Sequence, residues 1–155
     1  LDIRTDDKAD LDDLVVGSLT DLETCRRAVE GMEAVVLCHM APNPDGYKTP
    51  EMAVDVNVKG TANVFQAMVE RNVPRAVLIS SRGVLVGHKS AVVGEGPYNY
   101  AGGWLYLITK IIQENLARFY HESHGIAIAV LRPGYICYDE TLINKYGDKL
   151  KRYGS

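Results

Sequence analysis

Tyr106 and Lys110 stand four residues apart in the stretch YLITK, and Ser81 comes just after the apolar run RAVLIS. On a helix, positions i and i+4 share a face, so a phenol and an ammonium there can point the same way. A tyrosine ionises near pH about 10, too high to give or take a proton at neutral pH. A neighbouring cation favours the phenolate, and lowering that pKa by about three units takes roughly 4 kcal/mol, within reach of one close charge in a half-buried site. A serine hydroxyl facing the pair can hold a substrate oxygen while hydride leaves or arrives. Together the three make an alcohol–carbonyl redox site. One turn of an ordinary helix offers the same pair, and in a chain with nine tyrosines the spacing alone is a weak signal. Its setting strengthens it: the pair opens a helix directly after a glycine-rich segment, with a serine at the end of the preceding strand.

The elements that must position these residues alternate along the chain. LVVG (14–17) reads as a short strand closed by a glycine turn. TDLE (20–23) fits a helix capping box, with Thr20 and Glu23 as reciprocal partners. Leu22, Cys25 and Val29 then recur at helical spacing, and Gly31 is a natural stop. EAVVLC (33–38) is a continuous apolar strand of the kind buried on both faces of a parallel sheet. Residues 51–71 predict a long helix with Val54, Val58, Phe65 and Met68 on one face. RAVLIS (75–80) and IAIAVL (126–131) are further strands, and a helix spans about 104–124. VGEGPYNYAGG (93–103) reads as a mobile glycine-rich lid or substrate loop. This order predicts an α/β fold, a doubly wound parallel sheet with right-handed crossovers, whose ligands bind beyond the carboxyl ends of the strands.

The 155 residues carry a net charge of −3 with 46% hydrophobic and 24% charged residues, so nothing favours nucleic acid or an anionic membrane. Cys25, Cys38 and Cys137 are odd in number and sit in apolar contexts; they read as buried free thiols of a reducing compartment, and the expected location is the cytoplasm. His121 and His124 are three apart on a helix face, but no carboxylate or cysteine completes a metal site, so no metal is expected. Glu114, four residues after Lys110, reads as an ordinary helix ion pair.

VVGSLTD, AVVLCHMA, VDVNVKGTANVFQA, RAVLISSRGVLVG, YLITKIIQE and VLRPGYI, in that order, resemble the extended short-chain dehydrogenase/reductases of the NAD(P)-dependent epimerase/dehydratase group. The resemblance runs from Leu1 to about Ile136. It implies a Rossmann-like fold and NAD as cofactor, with NADP possible. By that resemblance Tyr106 is the general acid/base and Lys110 its partner on the nicotinamide ribose. The family's serine lies about 25 residues before the tyrosine, which selects Ser81 over Ser80. Asp2 matches the acidic residue on the adenosine ribose, which favours NAD, although Arg4 could accept a 2′-phosphate. Ser18 and Leu19 match the stretch lying against adenine, with Ser18 where the family usually has Asp. His39, Met40 and Ala41 match the strand-end turn beside the pyrophosphate and ribose. Asn57 matches the asparagine bracing the long helix near the cofactor, a position that in isolation is a plain helix residue. Tyr135 lies in the segment nearest nicotinamide and substrate.

Leu85, Val86, Tyr138 and Asp139 depart from the family pattern near the sugar side of the pocket. Nothing matches the G-x-x-G-x-x-G turn that seats a pyrophosphate on a helix N-terminus. The expected fold is therefore incomplete at the N-terminus, with its first, central strand omitted or supplied by another chain, and it lacks most of the C-terminal substrate lobe. Residues 1–136 are expected to form a partial NAD(P)-binding domain and 137–155 the start of a substrate-binding region or a tail. The implied function is an oxidoreductase or epimerase acting on a sugar or sugar nucleotide, as a homodimer. A reductase of small carbonyl compounds and a degenerate, non-enzymatic binding module remain the alternatives.

Overall fold

Three of the apolar runs become one parallel sheet in the order β1 (Val35–Leu37), β2 (Arg75–Ile79), β3 (Ala127–Leu131). The structure, a computed structural model, describes residues 1–2, 13–41, 50–86, 95–102, 104–134, 136 and 143. Register aligns Leu37, Leu78 and Val130 on one face and Val36, Val77 and Ala129 on the other. The helices are α1 (Leu22–Val29), α2 (Pro50–Ala53), α3 (Gly60–Glu70) and α4 (Leu105–His124). One core of Cys25, Val29, Phe65, Met68, Leu78 and Tyr120 joins α1, α3 and α4 to the Leu37–Leu78 face. Their contribution is hydrophobic burial, at roughly 1.5–3 kcal/mol for each large side chain taken out of water. The opposite face is open among the described residues, and Val36 is 62% exposed, so β1 is not covered on both sides as expected.

LVVG contributes only an isolated parallel bridge. The Asp2 N–H donates to the Val15 carbonyl at 3.2 Å and the Gly17 N–H to the Asp2 carbonyl at 3.0 Å. This second piece stands apart from the three-stranded sheet. Between them runs a groove of about 130 Å³, walled by Leu1 on one side and Val36 and Cys38 on the other, over Leu19, Cys25 and Val29.

Local details correct several expectations. The cap of α1 is Asp21, not Thr20: its carboxylate accepts from the N–H groups of Glu23 and Thr24, both at 3.2 Å, and from the Thr24 hydroxyl at 2.5 Å. Two carboxylate oxygens satisfy more orphan donors than one hydroxyl can, and the Thr20 hydroxyl is engaged with Ser18 at 2.9 Å. The long helix is interrupted by a π turn over Val54–Lys59, where the Gly60 N–H donates to Asp55 five residues back. Its buried stripe carries Ala53, Asn57 and Thr61, while Val54 is exposed, one residue away from the expected face. Such turns are frequent at functional positions. Cys38 is exposed rather than buried. Residues 97–99 are tied rather than loose, since the Val86 N–H donates to Pro97 at 3.0 Å and the Asn99 N–H to Val84 at 2.7 Å. Helix α4 ends on Gly125, whose φ of +73° needs a residue without Cβ strain. Cys137, Tyr138, Asp139, Arg4 and all of the region 137–155 except Ile143 lie outside the described residues.

Candidate active site

Ser81 leaves the carboxyl end of β2 in extended conformation, and its hydroxyl accepts the Gly83 N–H at 3.2 Å, capping a short 3₁₀ turn, Arg82–Val84. That turn lies against the first turn of α4. A Cβ on Gly83 would stand 2.9 Å from Leu107 Cδ2 and 3.5 Å from the Ser81 hydroxyl, so glycine permits the approach. Tyr106 sits on that same first turn, half-buried beside Ala41 and Ala53. One turn further, Lys110 is 4% exposed. Its ammonium donates to the Ile79 carbonyl at 2.8 Å and lies 5.9 Å from the Tyr106 ring centroid. Burial lowers the Lys110 pKa to about 8, partly offset by Cys38 and Glu114. The group is still mostly cationic at pH 7.

Asn57 is fully buried and spans two elements. Its side-chain carbonyl accepts the Ala41 N–H at 2.7 Å, and its amide donates to the Thr109 hydroxyl at 3.0 Å. Thr109 in turn donates to the Tyr106 carbonyl at 2.8 Å. A chain of bonds therefore runs from the turn after β1, through the π turn, to the backbone of Tyr106. Beside it Gln113 donates to the Thr61 hydroxyl at 2.6 Å, and His39 Nε2 contacts Thr61 at 3.1 Å and Gln113 at 3.2 Å. Burial first, then the Lys110 charge, depresses the His39 pKa to about 4, so this imidazole is neutral at pH 7. Met40 is exposed and Ala41 buried.

In the loop under the groove, the Ser18 hydroxyl accepts the Thr20 N–H at 3.2 Å, and the Leu19 carbonyl accepts Asn63 Nδ2 at 2.8 Å. A Cβ on Gly60 would meet Leu19 Cβ at 2.9 Å, so the start of α3 supports this loop closely. Asp2 contributes its backbone to the bridge with Val16. The structure thus gathers Ser81, Tyr106, Lys110, Asn57, His39 and Ala41 around the carboxyl ends of β1 and β2. Leu19 lies under the groove with Ser18 next to it in sequence, Asp2 follows Leu1 of the far wall, and Tyr135 lies outside the described residues.

Sequence reasoning missed the second layer. Thr61 and Gln113 brace the first group, and each lies one helical turn beyond a polar residue on an otherwise apolar stripe, Asn57 and Thr109, which is the signal that could have found them. Glu114 is misread as a partner of Lys110. Its carboxylate instead accepts both Nε and Nη2 of Arg132, at 3.0 and 2.8 Å, and the Ser80 hydroxyl at 2.5 Å. The histidines of α4 have other engagements. His121 Nδ1 meets the Ile126 carbonyl at 2.9 Å, and His124 stacks on Tyr120 at 5.4 Å. Among the described residues no cluster of His, Cys, Asp and Glu could hold a metal, and no helix is long and apolar enough to cross a membrane.

Parallel strands with polar groups converging past their carboxyl ends place this cluster where open α/β domains of the Rossmann-like class bind their ligands. The chain belongs to the NAD dependent epimerase/dehydratase family, whose model matches residues 2–137. It is 25% identical over 145 residues to an NAD-dependent glucose-6-phosphate dehydrogenase of Haloferax volcanii, a match covering 86% of this chain and 55% of that protein. It is 26% identical over 141 residues to an L-arabinose 1-dehydrogenase (NAD(P)(+)) of the same organism, covering 80% and 53%. Among solved structures it resembles a monomeric L-threonine 3-dehydrogenase from a metagenome, at 25% identity and a TM-score of 0.73, covering 85% of this chain and 43% of that one. The chain spans about half the length of the curated relatives it matches.

Proposed function

We propose that this chain carries the cofactor side of an NAD-dependent oxidoreductase acting on a sugar or sugar nucleotide, with Tyr106, Lys110 and Ser81 at the reacting carbon. The observation that carries this reading is Lys110. A buried ammonium is costly, and here it lies at the end of β2, beside the Tyr106 ring and one residue pair from Ser81. The two sugar dehydrogenases among its relatives favour net oxidation over epimerisation.

The residues suit a dinucleotide. Lys110 supplies a cationic donor for ribose hydroxyls, Asp2 a carboxylate next to Leu1 of the opposite wall, and Ala41 and Met40 a close backbone between them. NAD, when bound, supplies the hydride acceptor at its nicotinamide ring. The chain's own part is proton handling and alignment. Tyr106 takes the proton of the substrate hydroxyl at its phenolate oxygen, Lys110 stabilises that phenolate, and Ser81 holds the same substrate oxygen by its hydroxyl. The bond from Thr109 to the Tyr106 carbonyl keeps the first turn of α4 fixed meanwhile.

In the same reading, the groove beside β1 takes a further parallel strand, and the pyrophosphate seat arrives with it. Residues 1–136 are then the nucleotide-binding unit and 137–155 the beginning of the substrate region. Exposed Ile112 and Phe119 on α4 make a face for a second copy, and the free thiols Cys25 and Cys38 suit a reducing cytoplasm.

NADH fluorescence titration of the chain alone and extended upstream tests the reading. Binding by the extended form supports it; binding by neither favours a non-enzymatic module. In the form that turns over, Tyr106→Phe is expected to abolish turnover with NADH affinity nearly unchanged. Full activity in that variant overturns the mechanism.

A further inference from the structure

We propose that Glu114 is the positioning residue of this site: its buried carboxylate ties the ends of β2 and β3 to the helix carrying Tyr106 and Lys110. The proposal rests on the reading of the site above, though its tests do not require the cofactor. Glu114 is 4% exposed, a rare place for a carboxylate unless every lone pair is used. From the end of β2 it accepts the hydroxyl of Ser80, the residue before Ser81. From beyond β3 it accepts the two-pronged bond of Arg132, and Tyr98 lines the same hollow beside the pair.

Each partner belongs to a segment that also touches its neighbour. The Ser80 N–H donates to the Leu131 carbonyl at 2.7 Å and the Arg82 N–H to the Pro133 carbonyl at 3.0 Å, so the two strand ends continue in register past the sheet. Tyr98 pairs antiparallel with Leu85, just after the turn that Ser81 caps. One carboxylate therefore joins α4 to the ends of β2 and β3 behind the 3₁₀ turn that Ser81 caps, and the 97–99 segment is held by that turn through Val84. An apolar residue at 114 could fill the volume but would leave the Arg132 guanidinium and the Ser80 hydroxyl without their acceptor. Burial pushes the Glu114 carboxyl up, yet Arg132, Ser80 and Tyr98 outweigh it and hold its pKa below the usual range. The charge persists at neutral pH.

That charge also reaches Lys110, one turn earlier on the same helix. The titratable groups acting on Lys110 are Cys38 and His39 from beyond β1 and Glu114 and Tyr106 from α4. Those acting on Glu114 from other elements are Arg132 and Tyr98, with Arg118 near Tyr98. Removing the Glu114 charge lowers the Lys110 pKa further, so a positioning role leaves an electrostatic trace that simple loosening does not.

Two measurements on Glu114→Gln read this out. The first is the Lys110 titration by NMR of ¹³C-labelled lysine, expected near pH 8 in the parent and at least half a pH unit lower in the variant. The second is amide hydrogen exchange, expected to quicken at least tenfold at Arg82 and Asn99 while Ala76 and Leu78 inside β2 stay as they were. An unchanged Lys110 midpoint, or exchange that is unchanged or quickens equally through β2, overturns the proposal. Should Glu114→Gln fail to fold, Glu114→Asp keeps the charge and shortens the reach. It is expected to hold the midpoint near 8 and still loosen Arg82 and Asn99, and protection equal to the parent there overturns the proposal. Failure of the parent to bind NAD counts against the proposed function alone, because neither readout uses the cofactor.

Discussion

Lys110→Met is expected to make the protein more stable and inactive at once. The lysine is 4% exposed, and burial brings its pKa from the ordinary 10.5 to about 8. At about 1.4 kcal/mol per tenfold change in proton affinity, holding the charged form in the folded state costs about 3 kcal/mol. The methionine side chain has similar reach, fills the space and carries no charge. It forfeits the bond to the Ile79 carbonyl, at 2.8 Å, worth about 1 kcal/mol or somewhat more with a charged donor. The net gain at pH 7 is then about 1–2 kcal/mol. Its pH dependence follows from the sign of the shift. Below about pH 8 both folded and unfolded chains hold the proton and the cost is fully present. Between about 8 and 10.5 the unfolded chain binds more protons than the folded one, so parent stability rises with pH across that window and the advantage of the variant disappears. Urea titrations at pH 7 and pH 10.5 measure both limbs. A variant less stable than the parent at pH 7, or an advantage of equal size at both pH values, refutes the reasoning.

Asn57→Ala strips the buried Ala41 N–H of its acceptor and Thr109 of a donor; urea unfolding is expected to show a loss of about 2–3 kcal/mol, since each unsatisfied buried group costs about 1–3 kcal/mol. Asn57→Asp keeps the acceptor for Ala41 and should fall between the parent and the alanine variant. Cys25 is fully buried, and burial first, then the Asp21 charge, raises its pKa to about 11. Peptide mapping after brief treatment with a thiol reagent at pH 8 should find Cys38 modified and Cys25 untouched until the protein is unfolded.

The order of elements was legible because it rests on local regularities. Runs such as RAVLI and AIAVL are apolar without helical period, and α4 repeats its apolar face for five turns before Gly125 stops it. The residues that converge past the strand ends were legible through resemblance more than through chemistry. The brace was not. Asn57 meets Ala41 and Thr109 across 16 and 52 residues, and Glu114 meets Arg132 and Ser80 across 18 and 34. Those pairings depend on how α4 lies over the sheet. At position 114 the local rule, an i,i+4 partner in Lys110, competes with a bidentate guanidinium fixed by β3, and two parallel bonds from a planar donor outweigh one flexible ammonium. At Asp21 and Thr20 the rule for caps was right and the residue wrong by one, because both side chains are competent and a carboxylate serves two N–H groups.

The exposed edge of β1 bears on where a cofactor can lie. Strands that end a sheet in water are commonly guarded by lysine, proline, a bulge or a covering segment, because a bare edge invites another strand. Val35, Val36 and Leu37 carry neither charge nor proline. Their composition is that of an interior strand, while their position here is at the edge. The same edge forms one wall of the groove, the Leu1 side forms the other, and His39 at its end is held by Thr61 and Gln113. A strand laid parallel into the groove would pair with the edge of β1 that no strand among the described residues pairs with. Its own carboxyl end would then emerge between Asp2 and Ala41, where a helix N-terminus can face a pyrophosphate. Under the proposed function, filling the edge and seating the dinucleotide would be one structural event, and leaving the groove empty should weaken NADH binding without disturbing the core around Lys110 and Tyr106.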